Sequence, residues 1–186
     1  MPTRKKSTKK KKGKKQVKKK KPIKPLKKRN GIVIYQNRAM KIEENKVLGD
    51  FEKLLGRKIP AGVSIKKIDG YNIRTRFIAK NGHITGLGIW AIRLTTLPKS
   101  LGNLKSLKRL WLKNCDFKNL PESIGNLESL QELDLYYDKL TTLPESFGKL
   151  KSLQNLNLKE NKLTMLPKSF ENLKSLKKLD LEKNRL

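Results

Sequence analysis

A 23-residue period governs the C-terminal half of this chain, restarting at Ile84, Leu107, Leu130, Leu153 and, incompletely, Leu176. Apolar residues fall at positions 1, 4, 6, 11, 14, 18 and 21 of each unit, and all 28 such slots in the four complete units hold Leu, Ile or Phe. Position 15 is proline every time (Pro98, Pro121, Pro144, Pro167), and serine recurs at positions 17 and 23. A unit of this length cannot bury its own apolar face, so neighbouring units must stack, and the chain must coil into a solenoid. Such an architecture offers an extended surface rather than an enclosed pocket, which favours binding over catalysis.

The spacing assigns faces within each unit. Positions 4 and 6 alternate with 3, 5 and 7, the period of a strand, so one set faces the core and the other faces outward. Proline at position 15, with a fixed φ and no N–H, suits an extended segment leaving the sheet. Position 9 holds Asn161 and Asn184, whose amides both donate and accept, and Cys115 is a small variant there. Ile92 and Asp138 depart from the column. An ionised Asp138 only accepts hydrogen bonds, so its turn is expected to be irregular.

The run Leu107-Lys-Arg-Leu-Trp-Leu-Lys-Asn-Cys-Asp-Phe-Lys-Asn-Leu-Pro and its counterparts resemble the leucine-rich repeat family, in its 23-residue L-P form. The resemblance covers residues 84–186 and is nearest to scribble-type and Ras-group members. It implies an α/β solenoid with a parallel β-sheet on the concave side and short helical or extended segments on the convex side. Four complete repeats and an incomplete fifth then occupy 84–186. The last unit stops at Leu186, its position 11, leaving Leu179, Leu181 and Leu186 uncovered, which suggests a fragment of a longer protein.

Charge divides the chain. Residues 1–30 carry 17 Lys or Arg and no acid, whereas the remainder carries 29 basic and 16 acidic residues. Only Met1, Val17, Ile23 and Leu26 are large apolar residues in that leader, too few to offset the entropy of ordering it. It is expected to be a disordered, lysine-rich leader. No apolar stretch of signal-peptide length follows the basic start, and the run Ile32–Tyr35 is too short to span a bilayer. The single cysteine, Cys115, precludes an internal disulfide and fits a reducing compartment, cytoplasmic or, in a nucleated cell, nuclear.

Between leader and repeats, residues 31–83 read as an N-terminal cap made of a helix and a hairpin. Val47, Leu48, Phe51, Leu54 and Leu55 share one face of a helix over about 43–55, with Glu43 and Glu44 at its N-terminal end and Gly56 as its C-cap. Val63 and Ile65 suggest a strand, with Gly70 as a turn after it. A hairpin over about 71–89 turns at Asn81-Gly82, because a type I′ turn needs positive φ at both central residues.

Catalytic chemistry finds no support. One histidine, His83, and one cysteine preclude His-pair and Cys-based zinc sites, no phosphate-binding glycine loop is present, and no catalytic residue, metal site or cofactor is expected. His83 reads as a hairpin residue and Cys115 as turn filling.

The informative surface is the outward row of the sheet. It places Trp90, Arg109, Trp111, Lys113, Glu132, Asp134, Tyr136 and Tyr137 on one face, with Trp90, Trp111 and Tyr136 as one aromatic strip beside a hollow at Gly86 and Gly88. Large aromatics beside an arginine are the usual make-up of a protein-binding centre, so a protein partner is expected there, and the resemblance implies a small GTPase as one candidate. The leader offers a second reading. Lys9, Lys10, Lys11, Lys12, Lys14, Lys15, Lys18, Lys19, Lys20 and Lys21 suit non-specific, salt-sensitive binding to nucleic acid or to an anionic membrane surface. With two arginines and no aromatic in the leader, neither bidentate nor stacking recognition is provided for.

Overall fold

The computed structural model describes residues 32–35, 38–59 and 75–186. The leader, the strand expected around Val63 and Ile65, the turn at Gly70 and the first residues of the expected hairpin, 71–74, lie outside them.

Strands β1 (Ile32–Tyr35) and β2 (Arg38–Lys41) pair antiparallel, a hairpin that the sequence reading did not assign. Helix α1 (Ile42–Leu55) follows directly and ends at Gly56 with φ 64°, the left-handed conformation that suits glycine. Val47, Leu48 and Phe51 are fully buried, whereas Leu54, assigned to the same face, is exposed. Glu44 does more than offset the helix dipole. It is buried, accepts the Ile84 N–H, and lies 3.0 Å from His83 Nδ1, so it ties the helix to the first repeat strand.

The main sheet has six strands in sequence order. β3 (Thr75–Lys80) pairs antiparallel with β4 (His83–Trp90) through Asn81-Gly82, whose φ values of 51° and 77° are both positive, as a type I′ turn requires. From β4 onward every pairing is parallel: β5 (Arg109–Lys113), β6 (Glu132–Asp134), β7 (Asn155–Asn157) and β8 (Lys178–Asp180) each lie one repeat further along. On the convex side Pro98, Pro121, Pro144 and Pro167 are extended and each starts a five-residue 3-10 helix. A tight turn rather than an α-helix fits here, because only a few residues separate the proline from the next buried leucine.

Stacking of the coils makes the core. Of the 28 apolar slots only Leu166 and Phe170 in the fourth coil are not buried, and both still pack against the buried cluster. Each buried leucine contributes roughly 1.5–3 kcal/mol relative to exposure. In the fifth coil, Leu179 and Leu186 are exposed. The coils approach so closely that a Cβ on Gly125 would stand 2.3 Å from the Ser146 carbonyl oxygen, and on Gly148 the same distance from that of Ser169. Glycine therefore recurs at position 19 because the next coil occupies the space.

Position 8, in the turn after each strand, is in the left-handed region at Ala91, Asn114, Tyr137, Glu160 and Lys183. Next to it, the position-9 side chains bridge coils. Asn161 accepts the Leu140 N–H at 3.0 Å and donates to the Leu135 and Leu158 carbonyls at 2.8 and 3.0 Å, and Asn184 repeats the pattern one coil on. Cys115 Sγ lies 3.6 Å from the Ile89 carbonyl oxygen, filling the same role weakly.

Asp138 behaves differently from the expectation of an irregular turn. Its own turn keeps the same backbone, with Tyr137 at φ 58° beside Glu160 at 57°, and the departure falls one coil earlier, at Asp116 with φ 69°. Asp138 Oδ1 accepts the N–H groups of both Cys115 and Phe117 in that earlier coil, whereas Oδ2 is buried without a partner. In the repeat, Oδ2 corresponds to the amide nitrogen with which Asn161 reaches two carbonyl oxygens. Burial, against the opposing effect of the Cys115 N–H, pushes the Asp138 carboxyl up to about 7. The protonated acid supplies the missing donor. Because the folded value lies above the unfolded one, the stability from this group is complete below pH 4 or so and is lost as pH rises through 7. The wild-type melting temperature should therefore fall between about pH 4 and pH 7 and level off above that. Asp138→Asn should remove that dependence and stabilise the protein by up to about 4 kcal/mol at pH 8, the scale of ionising a carboxyl raised from 3.8 to about 7. Melts of both proteins across this range check it; parallel curves would show that Asp138 is not strained when ionised.

Candidate functional site

The concave face is built by the outward positions of β4 to β8. Parallel register sets its rows: Arg109, Glu132, Asn155 and Lys178 form one, and Gly88, Trp111, Asp134, Asn157 and Asp180 the next. Trp90 stands opposite Lys113.

This register corrects the expected aromatic strip. Trp111 is flanked by Gly88 and Asp134, not by Trp90 and Tyr136, because the latter two lie two residues further along their strands. The aromatics form two pairs instead. Trp90 and Trp111 meet edge to face with centroids 6.3 Å apart, and Tyr136 and Tyr137 meet tilted at 5.8 Å. Between the pairs stands an ion pair, Lys113 Nζ to Asp134 at 2.6 Å, with the same ammonium 5.4 Å from the Trp111 ring centre. The hollow expected at Gly88 is filled. A Cβ there would lie 2.3 Å from the Trp90 ring, so that ring folds back along its own strand onto the glycine.

Trp111 is accordingly half-buried rather than freely exposed. Its indole N–H donates to Glu132 Oε1 at 2.9 Å, while Arg109 approaches the other carboxylate oxygen at 3.5 Å. The ring is thus held from three sides, by Trp90, Glu132 and Lys113. Tyr137, in the turn after β6, is the most exposed aromatic among the described residues, at 53 %. Beyond Asp134 the face becomes a shallow polar groove floored by Asn155 and Asn157 and bounded by Lys178 and Asp180. Asp134, Asn157 and Asp180 each accept the backbone N–H two residues on, which fixes their orientation. All eight expected contact residues lie on or at the edge of this face. The groove continuing from them was missed as a site, because it carries no aromatic.

Cys115 lies behind the sheet. Burial first, then the nearby Asp138 charge, pushes its thiol up to about 12, which leaves it without thiolate at neutral pH. Among the described residues no cluster of three His, Cys, Asp or Glu side chains is arranged to hold a metal, and no helix is long and apolar enough to cross a membrane.

If Trp90 rests on Gly88, then Gly88→Ala should displace the Trp90 ring and break the edge-to-face pair. The near-ultraviolet circular dichroism of the coupled indoles should diminish sharply while the far-ultraviolet spectrum stays unchanged. An unaltered near-ultraviolet spectrum would mean that the pair does not form in solution.

Comparison with known proteins agrees with this architecture. No curated protein matches the chain. Among solved structures, the leucine-rich repeat ectodomain of the receptor kinase SOBIR1 from Arabidopsis thaliana is 24% identical and covers 78% of this chain and 95% of its own, with a TM-score of 0.57. A plant ice-binding protein is likewise 24% identical, covering 78% of this chain and 49% of its own at a TM-score of 0.58. At such identity both show the fold alone. A leucine-rich repeat protein of Leptospira interrogans is 48% identical over 50% of this chain, with a TM-score of 0.48, and the chain spans 24% of that protein's length. A family model described as a leucine-rich repeat region matches residues 72–185, so the chain belongs to the leucine-rich repeat family.

Proposed function

We propose that this chain is a protein-interaction module whose concave face takes a protein partner, with Trp90 and Trp111 at the centre of the contact. The observation that carries this reading is the placement of both tryptophans on the outward face of the sheet, whereas the inward repeat positions hold only Leu, Ile and Phe. Trp111 is pre-ordered by Glu132 and Lys113, so little side-chain entropy is lost when a partner docks. Aromatic and arginine side chains dominate binding energy at protein interfaces, and repeat arrays typically serve as scaffolds of this kind rather than as catalysts. The Ras-group resemblance makes a small GTPase the first probe.

Residues 1–30 support a second role, a non-specific contact with polyanions, since they carry 17 Lys or Arg and no acid. Deleting them separates the two roles: binding at the concave face survives, and binding to duplex nucleic acid falls.

Trp111→Ala should lower partner affinity by about 2 kcal/mol or more, the scale of an aromatic hot spot. Its cost to stability should be about 1 kcal/mol, because the edge-to-face pair is lost. Lys99→Ala and Lys168→Ala, on the convex side, should change neither. Affinities for a panel of nucleotide-loaded small GTPases, measured with melts of the same variants, check this. Unaltered affinity in Trp111→Ala would remove the tryptophan from the contact, equal losses at the convex controls would move the contact to the other face, and no binding at all would exclude this partner class.

A further inference from the structure

The two rims of the solenoid differ in charge. At the rim formed by the C-terminal ends of the strands, three of the six cations Arg93, Lys118, Lys139, Lys162, Lys183 and Arg185 are neutralised: Arg93 and Lys139 flank Asp116, and Lys183 reaches Glu160. At the rim formed by the N-terminal ends, the loops over residues 103–108, 126–131, 149–154 and 172–177 carry Lys105, Lys108, Lys149, Lys151, Lys174 and Lys177 against one acid, Glu128. All six lysines are exposed, and only Lys105 pairs with that acid. Among the described residues the ammonium groups of Lys108, Lys149, Lys174 and Lys177 have no acidic or carbonyl partner.

The array is rigid, because each loop is tied to its neighbours. The N–H of Gln131 reaches the Lys108 carbonyl, that of Gln154 reaches Gln131, and that of Lys177 reaches Gln154, at 2.8–2.9 Å. With adjacent strands about 4.8 Å apart, the first, third and fourth loops present lysines along roughly 14 Å, close to four base-pair rises of a duplex. Asn103, Ser106, Ser129, Gln131 and Gln154 lie between the lysines. This mixture of lysine with small hydroxyl and amide side chains is what contacts phosphate and sugar in nucleic-acid complexes. Among the described residues, none of the exposed large apolar ones, Leu54, Tyr137, Met165, Leu179 and Leu186, lies in these loops, so no side chain of the loops is placed to enter a lipid interface.

The chain segment that precedes α1 joins at this same rim. Lys41 N–H donates to the Gly82 carbonyl at 3.1 Å, beside the start of β4.

We propose that the rim at the N-terminal ends of the strands binds the sugar-phosphate backbone of duplex nucleic acid. This extends the polyanion role of residues 1–30 to the folded repeats, and it is independent of the concave-face contact. Recognition there is sequence-independent, because the lysines meet phosphates rather than base edges.

The test keeps the full chain, leader included, in every variant. Lys108→Gln, Lys174→Gln and Lys177→Gln combined remove three charges from the rim; Lys118→Gln, Lys162→Gln and Arg185→Gln combined remove three from the opposite one. Binding to two 20-base-pair duplexes of unrelated sequence is measured against salt concentration, alongside thermal melts. The rim variant should lose about tenfold or more in affinity near 0.1 M salt, and its slope of log K against log salt should become shallower by about 2.7, at 0.9 per phosphate contact. The opposite-rim variant should stay within about threefold of wild type, and replacing the same three rim lysines by arginine should retain binding and guard against a folding effect. Equal losses in both glutamine variants would reduce the effect to net charge and overturn the proposal. Unchanged binding in the rim variant would also overturn it, and would leave the leader as the only polyanion contact if duplexes still bind. Loss of binding to vesicles of anionic lipid with duplex binding intact would assign the rim to a membrane instead.

Discussion

Contact between one coil and the next is the interaction on which everything else in this molecule rests. No coil has a hydrophobic interior of its own; Leu110, Leu133 and Leu156 are buried only because the neighbouring coils cover them. The same contact satisfies the backbone. A single buried amide, Asn161, uses both its donor and its acceptor across two coils, and where aspartate replaces it the donor is missing until the carboxyl is protonated. Glycine at position 19 answers to the same constraint, since the next coil lies too close for a Cβ.

Stacking at fixed register also produces the functional surfaces. Because position 3 always meets position 3, and position 5 always position 5, whatever a column carries is set in a line across the sheet. The concave columns vary from aromatic to amide to acid, which suits recognition of one shaped partner. The N-terminal rim carries two lysines in three of its four loops, which suits a partner that is itself an array of charge. Helix α1 and β3 join the first coil to the chain before it, with buried Glu44 reaching the Ile84 N–H as a repeat side chain does elsewhere.

The period made the fold legible, since seven apolar positions per unit with alternating neighbours admit one stacking. It also placed the tryptophans on the outward face, and the Asn81-Gly82 dipeptide marked the turn between β3 and β4 through its own turn chemistry. Contacts that depend on side-chain direction were not legible. Trp90 folding back onto Gly88, and Lys113 standing between the aromatic pairs, follow from rotamers and register, which spacing along one strand does not contain. The glycine column was present in the sequence as Gly102, Gly125 and Gly148, yet its meaning appears only when the next coil is laid against it. Asp138 was recognised as an exception, but the consequence was assigned to the wrong coil, because its carboxylate acts on the N–H groups of the coil before it.

Native-state hydrogen exchange of Asn161→Ala, set against wild type, tests most directly whether nearest-neighbour stacking holds the structure. If it does, loss of this bridge between the third and fourth coils costs about 3 kcal/mol, and amides of β6, β7 and β8, including Leu133 and Leu156, exchange about a hundredfold faster, with α1 and β3 less affected. Faster exchange confined to Leu140 and the Asn161 turn, with an unchanged melting temperature, would contradict it.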